Sequence, residues 1–199
     1  MADSEKGFFV HSSAEVSEKA KIGKGTKIWN HAQIRENTII GENCVISKNV
    51  YIDFEVKIGN NVKIQNNVNV YNGVELKDNV FVGPNSTFSN DLRPRAFLWN
   101  ETKVVKTLVK EGASIGAGSI IKCGIKLGKY SMTGIGSVLT KSIPDHALAY
   151  GNPAKIKAFV CFCGNKLKKI KEEKQNIKMQ CEECKKQVLI EKKDYSLIK

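Results

Sequence analysis

Histidine is nearly missing from this chain. There are three in 199 residues, His11, His31 and His146, and none between Ala32 and Asp145. Most of the chain therefore lacks the side chain that most often serves as a general base near neutral pH. No basic start precedes an apolar stretch either, since the first residues set Asp3 and Glu5 against Lys6. No secretory leader and no membrane-length run are read here, and a cytoplasmic location is expected. The six cysteines fall at irregular spacing, which in a reducing compartment argues for buried thiols or metal rather than a disulfide frame. Net charge is +12, and the segment from Lys155 to Lys199 holds thirteen lysines against six acids. That surplus lacks the interleaved aromatics of a nucleic-acid module. It suits a solvated face or phosphate-bearing small molecules, with no nucleic acid and no membrane as partner.

What the chain has in abundance is a period of six. Every sixth residue from Val10 is aliphatic through Val82, and Phe88 closes the series as its fourteenth member. A second row follows each member by four residues, from Ala14, Ala20 and Thr26 through Cys44 to Val80 and Ser86. Six is neither the 3.6 of a helix nor the simple 2 of a surface strand. It predicts an all-β chain wound as a left-handed parallel β-helix, one hexad per flat side and three sides per coil. Each coil would bury its aliphatic row against the coils above and below.

The hexads break after Phe88 and resume at Val109, Ile115, Ile121, Leu127, Thr133 and Leu139. Twenty-one residues separate Phe88 from Val109, so the phase slips by half a hexad and a loop over about residues 91–108, containing Pro94 and Trp99, is extruded. Ligand contacts concentrate on loops borne by rigid scaffolds. The expected division is a β-helix over 1–154, ending near Ser142–Pro144, and a separate lysine-rich tail over 155–199.

Folding the hexads onto three sides stacks residues eighteen apart. One corner reads Gly23, Gly41, Gly59 with Gly25, Asn43, Asn61 and Asn79, a turn ladder tolerant of positive φ. The next carries His31, Asn49, Asn67 and Asn85, beside Trp29 and Gln65. The third carries Glu36, Phe54, Asn72 and Asn90, beside Tyr71 and Asp91. These asparagines suit either turn support or ligand contact, the latter where the ladder meets the loop. His31 stands three coils from Asn85, roughly 14 Å at the spacing of adjacent strands, too far to act as a base at the loop. Three convergent histidines, as a γ-carbonic-anhydrase-like zinc site needs, are not available at these spacings.

Several runs narrow the reading further. Lys63–Tyr71 (KIQNNVNVY), Val82–Asn90 (VGPNSTFSN), Arg93-Pro94-Arg95, Ile28-Trp29 and Gly151-Asn152-Pro153-Ala154-Lys155 together resemble the nucleotide-sugar 3-N-acetyltransferases over about Val10 to Lys155. The resemblance implies a homotrimer that moves acetyl from acetyl-CoA to a 3-amino sugar on a nucleoside diphosphate, in supply of a surface glycan. It implies Asn90 at the reacting amine, with Asp91 as base or sugar-hydroxyl acceptor. Trp29, His31, Gln65, Asn67, Tyr71, Asn72, Asn85, Arg93 and Arg95 are the implied substrate contacts. It also implies CoA along the later coils at Gly116, Ala117, Gly134 and Ile135, with Lys129 and Lys155 toward its phosphates. The same glycines also suit simple turn geometry. Gln65-Asn66-Asn67 with Val70-Tyr71 points to UDP-2-acetamido-3-amino-2,3-dideoxyglucuronate as acceptor. Asn90-Asp91-Leu92-Arg93-Pro94 points instead to a dTDP-3-amino-3,6-dideoxyhexose, and Trp29-Asn30-His31 departs from the UDP pattern. An acyltransferase on another acceptor and a non-enzymatic scaffold are the rival readings; the outward Thr arrays of ice-binding β-helices are absent.

The tail holds Cys161-Phe-Cys163-Gly164 and Cys181-Glu-Glu-Cys184. Two close pairs resemble a minimal zinc ribbon, in which four thiolates replace a core that so short a segment lacks; an unmetallated hairpin is the alternative. Cys44 falls in an inward slot and Cys123 in an outward one.

Overall fold

The computed structural model describes residues 7–98 and 100–198. Asp3, Glu5, Lys6 and Trp99 lie outside them. From Phe9 onward each hexad forms a strand of two or three residues followed by a turn, and residues eighteen apart pair in parallel, as Lys27 with Val45 and Ile28 with Ile46. Three walls result. Among the described residues the first wall holds nine strands, the second seven and the third six. The chain is an all-β parallel β-helix.

The second residue of each two-residue strand points inward. Ile28, Ile46, Ile64, Val82 and Ile115 from the first wall are all fully buried, as are Ile52, Val70, Phe88 and Ile121 from the second. Each buried side chain of this size stabilises by about 1.5–3 kcal/mol. The row four residues on is small because it sits at the corners, where walls converge. Polar members of that row answer to the backbone: Thr26 Oγ1 donates to Gly41 O at 2.8 Å and Thr38 Oγ1 to Asp53 O at 2.9 Å.

The loop interrupts one coil. Leu76 on the third wall pairs with Val109, an offset of 33 residues where one coil needs eighteen. Fifteen residues are thus inserted, and the half-hexad slip in sequence is the remainder of that insertion. The returning strand starts at Thr107, slightly before the expected loop end. The insertion is closed at its neck, where Val105 N–H donates to Asn90 O at 2.8 Å and Thr107 N–H to Gly73 O at 2.9 Å. Inside it are two single 3-10 turns, Ala96–Leu98 and Glu101–Lys103.

The first wall does not stop near Ser142–Pro144. Ala147–Gly151 pairs in parallel with Met132–Thr133, then turns at a cis Asn152–Pro153 bond into the antiparallel strand Ala154–Phe159. A three-stranded antiparallel sheet follows, Leu167–Glu172, Asn176–Cys181 and Gln187–Glu191, with a short helix Lys192–Tyr195. Leu167, Ile177, Met179, Val188 and Ile190 join the same apolar cluster as Ile143, Ile156 and Phe159. Cys123 is also not outward: it is buried, with the returning loop strand beside it at Gly124 and its N–H donating to Ser89 Oγ at 3.0 Å.

Candidate active site

The two edges of the second wall carry nearly all the residues singled out from the sequence. Along the edge shared with the first wall, His31, Asn49, Asn67 and Asn85 stack with φ between 53° and 60°. Asn49 Nδ2 donates to Asn67 Oδ1 and Asn67 Nδ2 to Asn85 Oδ1, both at 3.1 Å. Side-chain amides bonding from coil to coil, on a backbone few other residues adopt, make this column a turn ladder. Gln65 is half-buried beside it, and Trp29 is exposed against Phe9, ring centroids 5.4 Å apart.

The ladder runs on into the later coils. Gly118 N–H donates to Pro84 O at 2.8 Å and Gly136 N–H to Ala117 O at 2.7 Å. A Cβ on Gly116 would lie 2.6 Å from Gly134 C, and one on Gly134 would lie 2.7 Å from Tyr150 Cβ. Both glycines are therefore required by the approach of the next coil. At the corner beyond them the surface is open: Ile135 is 82% exposed and a Cβ on Gly136 would meet nothing. Lys129 is elsewhere, on the corner between the third and first walls, where its ammonium lies 3.5 Å from Glu111. Lys155 is exposed in the final hairpin, opposite Tyr150.

Phe54, Asn72 and Asn90 stack on the other edge, under the loop. This edge contains a network centred on Asp53. Asp53 is buried on the outer surface of the wall, and its Oδ1 accepts from Arg35 Nη1 at 3.1 Å, Tyr51 Oη at 2.9 Å and Phe54 N–H at 2.9 Å. Its Oδ2 accepts from Asn72 N–H at 3.1 Å, while Asn72 Nδ2 donates to Phe54 O at 2.8 Å. Arg35 also stacks over the Phe54 ring at 5.2 Å, and the Tyr51 and Tyr71 rings lie 5.7 Å apart. Burial and the bond to Asp53 raise the Tyr51 hydroxyl above its ordinary pKa, so it stays a donor. Arg35, Asp53 and Tyr71 recur at one place per coil, and the Arg35–Asp53 pair is an opposite-charge neighbour legible in the sequence once the coils are stacked.

Asn90 is half-buried at the neck of the loop. Asp91 follows, its Oδ1 accepting from Arg93 N–H at 2.7 Å and its Oδ2 buried without a partner among the described residues. Asp91, Arg93, Arg95, Leu98 and Lys103 line a cavity of about 930 Å³ within the loop. A second cavity of about 750 Å³ lies on the third-wall side, lined by Phe54, Asn72, Gly73, Val104 and Lys106 among others. Thus the structure gathers Tyr71, Asn72, Asn90, Asp91, Arg93 and Arg95 at one edge. Trp29, His31, Gln65, Asn67 and Asn85 stand at the other, below Gly116, Ala117, Gly134 and Ile135. Cations outnumber carboxylates around the loop cavity, which favours an anionic ligand.

Residues 19–53 and 55–90 match the bacterial transferase hexapeptide model of six repeats, and residues 37–72 the hexapeptide repeat of succinyl-transferase. Over 63 residues the chain is 62% identical to dTDP-3-amino-3,6-dideoxy-α-D-galactopyranose 3-N-acetyltransferase of Aneurinibacillus thermoaerophilus, covering 32% of this chain and 33% of that protein. Over 87 residues it is 38% identical to galactoside O-acetyltransferase of Lactococcus lactis, covering 40% of each. Each match thus spans well under half the relative's length. A solved histidine-to-alanine variant of GDP-perosamine N-acetyltransferase from Caulobacter crescentus, with CoA and GDP-perosamine, superposes at a TM-score of 0.52. It covers 75% of this chain and 55% of that one at 24% identity, a likeness of fold. Repeat match and wall geometry coincide: the chain is a parallel β-helix of hexapeptide repeats whose residues 19–53 and 55–90 match the bacterial transferase hexapeptide model.

Proposed function

We propose that this protein transfers acetyl from acetyl-CoA to the 3-amino group of a nucleoside-diphosphate-linked amino sugar. The observation that carries the reading is the cationic loop cavity, where Arg93, Arg95 and Lys103 surround the half-buried Asp91 next to Asn90. The arginines suit a diphosphate, since their planar forks bind its oxygens in pairs. The relatives named above, by their names acetyltransferases, support the reaction class.

The chemistry needs no histidine. A sugar amine flanked by electron-withdrawing oxygens is less basic than an alkyl amine, so a useful fraction is neutral near pH 7. Its nitrogen attacks the thioester carbonyl carbon, the carbon–sulfur bond breaks, and the departing CoA thiolate takes the proton lost by the amine. The protein must hold the amine about 3–3.5 Å from that carbon and offer donors to the forming oxyanion. Asn90 orients the amine through its side-chain oxygen, and Asp91 accepts a hydrogen bond from a sugar hydroxyl or, as base, relays the amine proton to that thiolate. Asp53 acts on this edge as a positioning residue, because it fixes the Asn72 backbone and the Phe54 turn.

CoA lies along the open corner at Ala117, Ile135 and Gly136, which sits across the second wall from Asn90. A homotrimer joins the two edges, bringing one chain's loop to a neighbour's later coils. The exposure of Phe97 at 81% and Ile135 at 82% supports such a contact. A solution mass of three chains by light scattering is expected, and a stable monomer would remove the shared site.

For the acceptor, the 62% match favours a dTDP-3-amino-3,6-dideoxyhexose, whereas Gln65-Asn66-Asn67 favours UDP-2-acetamido-3-amino-2,3-dideoxyglucuronate. Release of CoA thiol, measured with a panel of UDP- and dTDP-linked 3-amino sugars, separates the two. Thiol release with neither class, with acetyl-CoA present, would overturn the proposal and leave a scaffold.

A further inference from the structure

We infer that the C-terminal sheet holds a zinc ion in a closed tetrathiolate site, Cys161, Cys163, Cys181 and Cys184, which clasps that sheet to the last coil. The four sulfurs come from two tight turns. In the first, Gly164 N–H closes back on Cys161 O at 2.9 Å, with Gly164 at φ 86°. In the second, Lys185 N–H closes on Cys181 O at 3.1 Å, with Lys185 itself at φ 60°. A lysine held in the left-handed region is uncommon, and here it directs the chain around Cys184.

The sulfur geometry separates metal from disulfide. All four Sγ atoms lie within 4.8 Å of one another. Cys161 and Cys184 are 3.4 Å apart, while Cys163 is 3.6 Å from both Cys181 and Cys184. Two disulfides would pair each sulfur with one partner at about 2.05 Å and leave the pairs apart. A tetrahedron with metal–sulfur bonds of about 2.3 Å has edges of about 3.8 Å instead, close to these distances. Four thiolates around a divalent ion leave a net charge of −2, which Lys185 and Lys186 border. Asn165 Nδ2 points at Cys163 Sγ from 3.5 Å, a donor that steadies a thiolate.

No ligand position is left open, so the site is structural rather than catalytic. Its place shows what it does. Cys161 and Cys181 are buried at the seam where Phe159, Leu167 and Ile177 meet the last coil, and Phe162 between the first two cysteines packs on Tyr130 and His146 at 4.6 and 4.8 Å. The ion thus ties the turn leaving the β-helix to the turn joining the last two tail strands.

The test uses the full chain, purified under reducing conditions without chelator from zinc-supplemented medium. Elemental analysis is expected to give about one zinc per chain. Cys163 and Cys184 are the exposed sulfurs, so the double variant Cys163→Ser/Cys184→Ser opens no cavity and should lose at least nine-tenths of the zinc. Glu182→Gln should keep it. If the double variant does not fold, replacing zinc by cobalt(II) in the unaltered protein should give the intense visible bands of a tetrahedral thiolate site. Stripping the ion should speed hydrogen exchange in Asn176–Cys181 while leaving Lys63–Ile64 protected. Absence of zinc, iron in its place, a mass lower by four hydrogens, or zinc retained by the double variant would each overturn the inference.

Discussion

Asn90 and His31 differ in what surrounds them. His31 holds a positive-φ corner, its N–H donating to Ser13 Oγ at 3.2 Å, three coils from the loop. Asn90 stands at the neck of the loop, its carbonyl engaged by Val105 and its neighbour Asp91 facing the basic cavity. Its side chain can change without breaking that closure, which is made by backbone. Asn90→Ala is therefore expected to lower turnover by roughly 10- to 1,000-fold, the scale of losing one orienting or charge-stabilising contact, with little change in melting temperature. His31→Ala should be mild. Steady-state kinetics of both variants check this, and the reverse order of effects would mean that a histidine base operates after all.

Among the elements, the seam between the last coil and the tail is the pH-sensitive one. His146 is buried there, its Nδ1 2.9 Å from Val160 O and its ring stacked on Tyr130. Burial holds its pKa below the ordinary value, against the smaller upward pulls of the Val160 carbonyl and Asp145. The unfolded chain thus takes up a proton near pH 6.5 that the folded seam refuses. Stability is complete above that value and falls as pH drops toward the depressed folded pKa. Calorimetric melting between about pH 7.5 and 5 should show this slope, and His146→Gln should flatten it. The thiolate site also weakens in acid, so the difference between variant and parent is the quantity to read. A parallel pair of curves would remove His146 from the account. The β-helix is legible because two inward rows, such as Ile46 with Val50 and Ile52 with Val56, repeat every six residues. The seam is not, since Val160, Phe162 and Tyr130 meet only through the chain's return. Asp53 escaped for a similar reason: its four donors come from three coils, and only stacking brings Arg35, Tyr51 and Asn72 to it.

For the molecule as a whole, what matters is how the open end of the stack is covered. A β-helix is stable because each coil covers the next, and its last coil needs something to cover it. Here the cover is the hairpin strand Ala154–Phe159 and then the tail sheet, whose Leu167, Ile177 and Val188 continue the core. The hexads end at Leu139 and the lysine-rich segment starts at Lys155, so from sequence alone a chain cut after Ala154 is expected to stay intact. The buried Ile156 and Phe159 argue otherwise at the upper end. Losing both costs about 3–6 kcal/mol at 1.5–3 kcal/mol for each buried side chain of this size. It also bares Ala147 and Ala149 along an unpaired strand edge, which invites edge-to-edge association. A chain ending at Ala154 is thus expected to melt lower and to self-associate, with hydrogen exchange rising in Met132–Thr133 and Val138–Leu139. Lys27–Ile28 and Val45–Ile46, many coils away, should keep their protection, because nothing beyond a neighbouring coil touches them. A chain ending at Phe159 should recover part of the loss. If the shorter chain melts with the full-length protein and stays in the same oligomeric state, the tail is an appendage and not the cover of the stack.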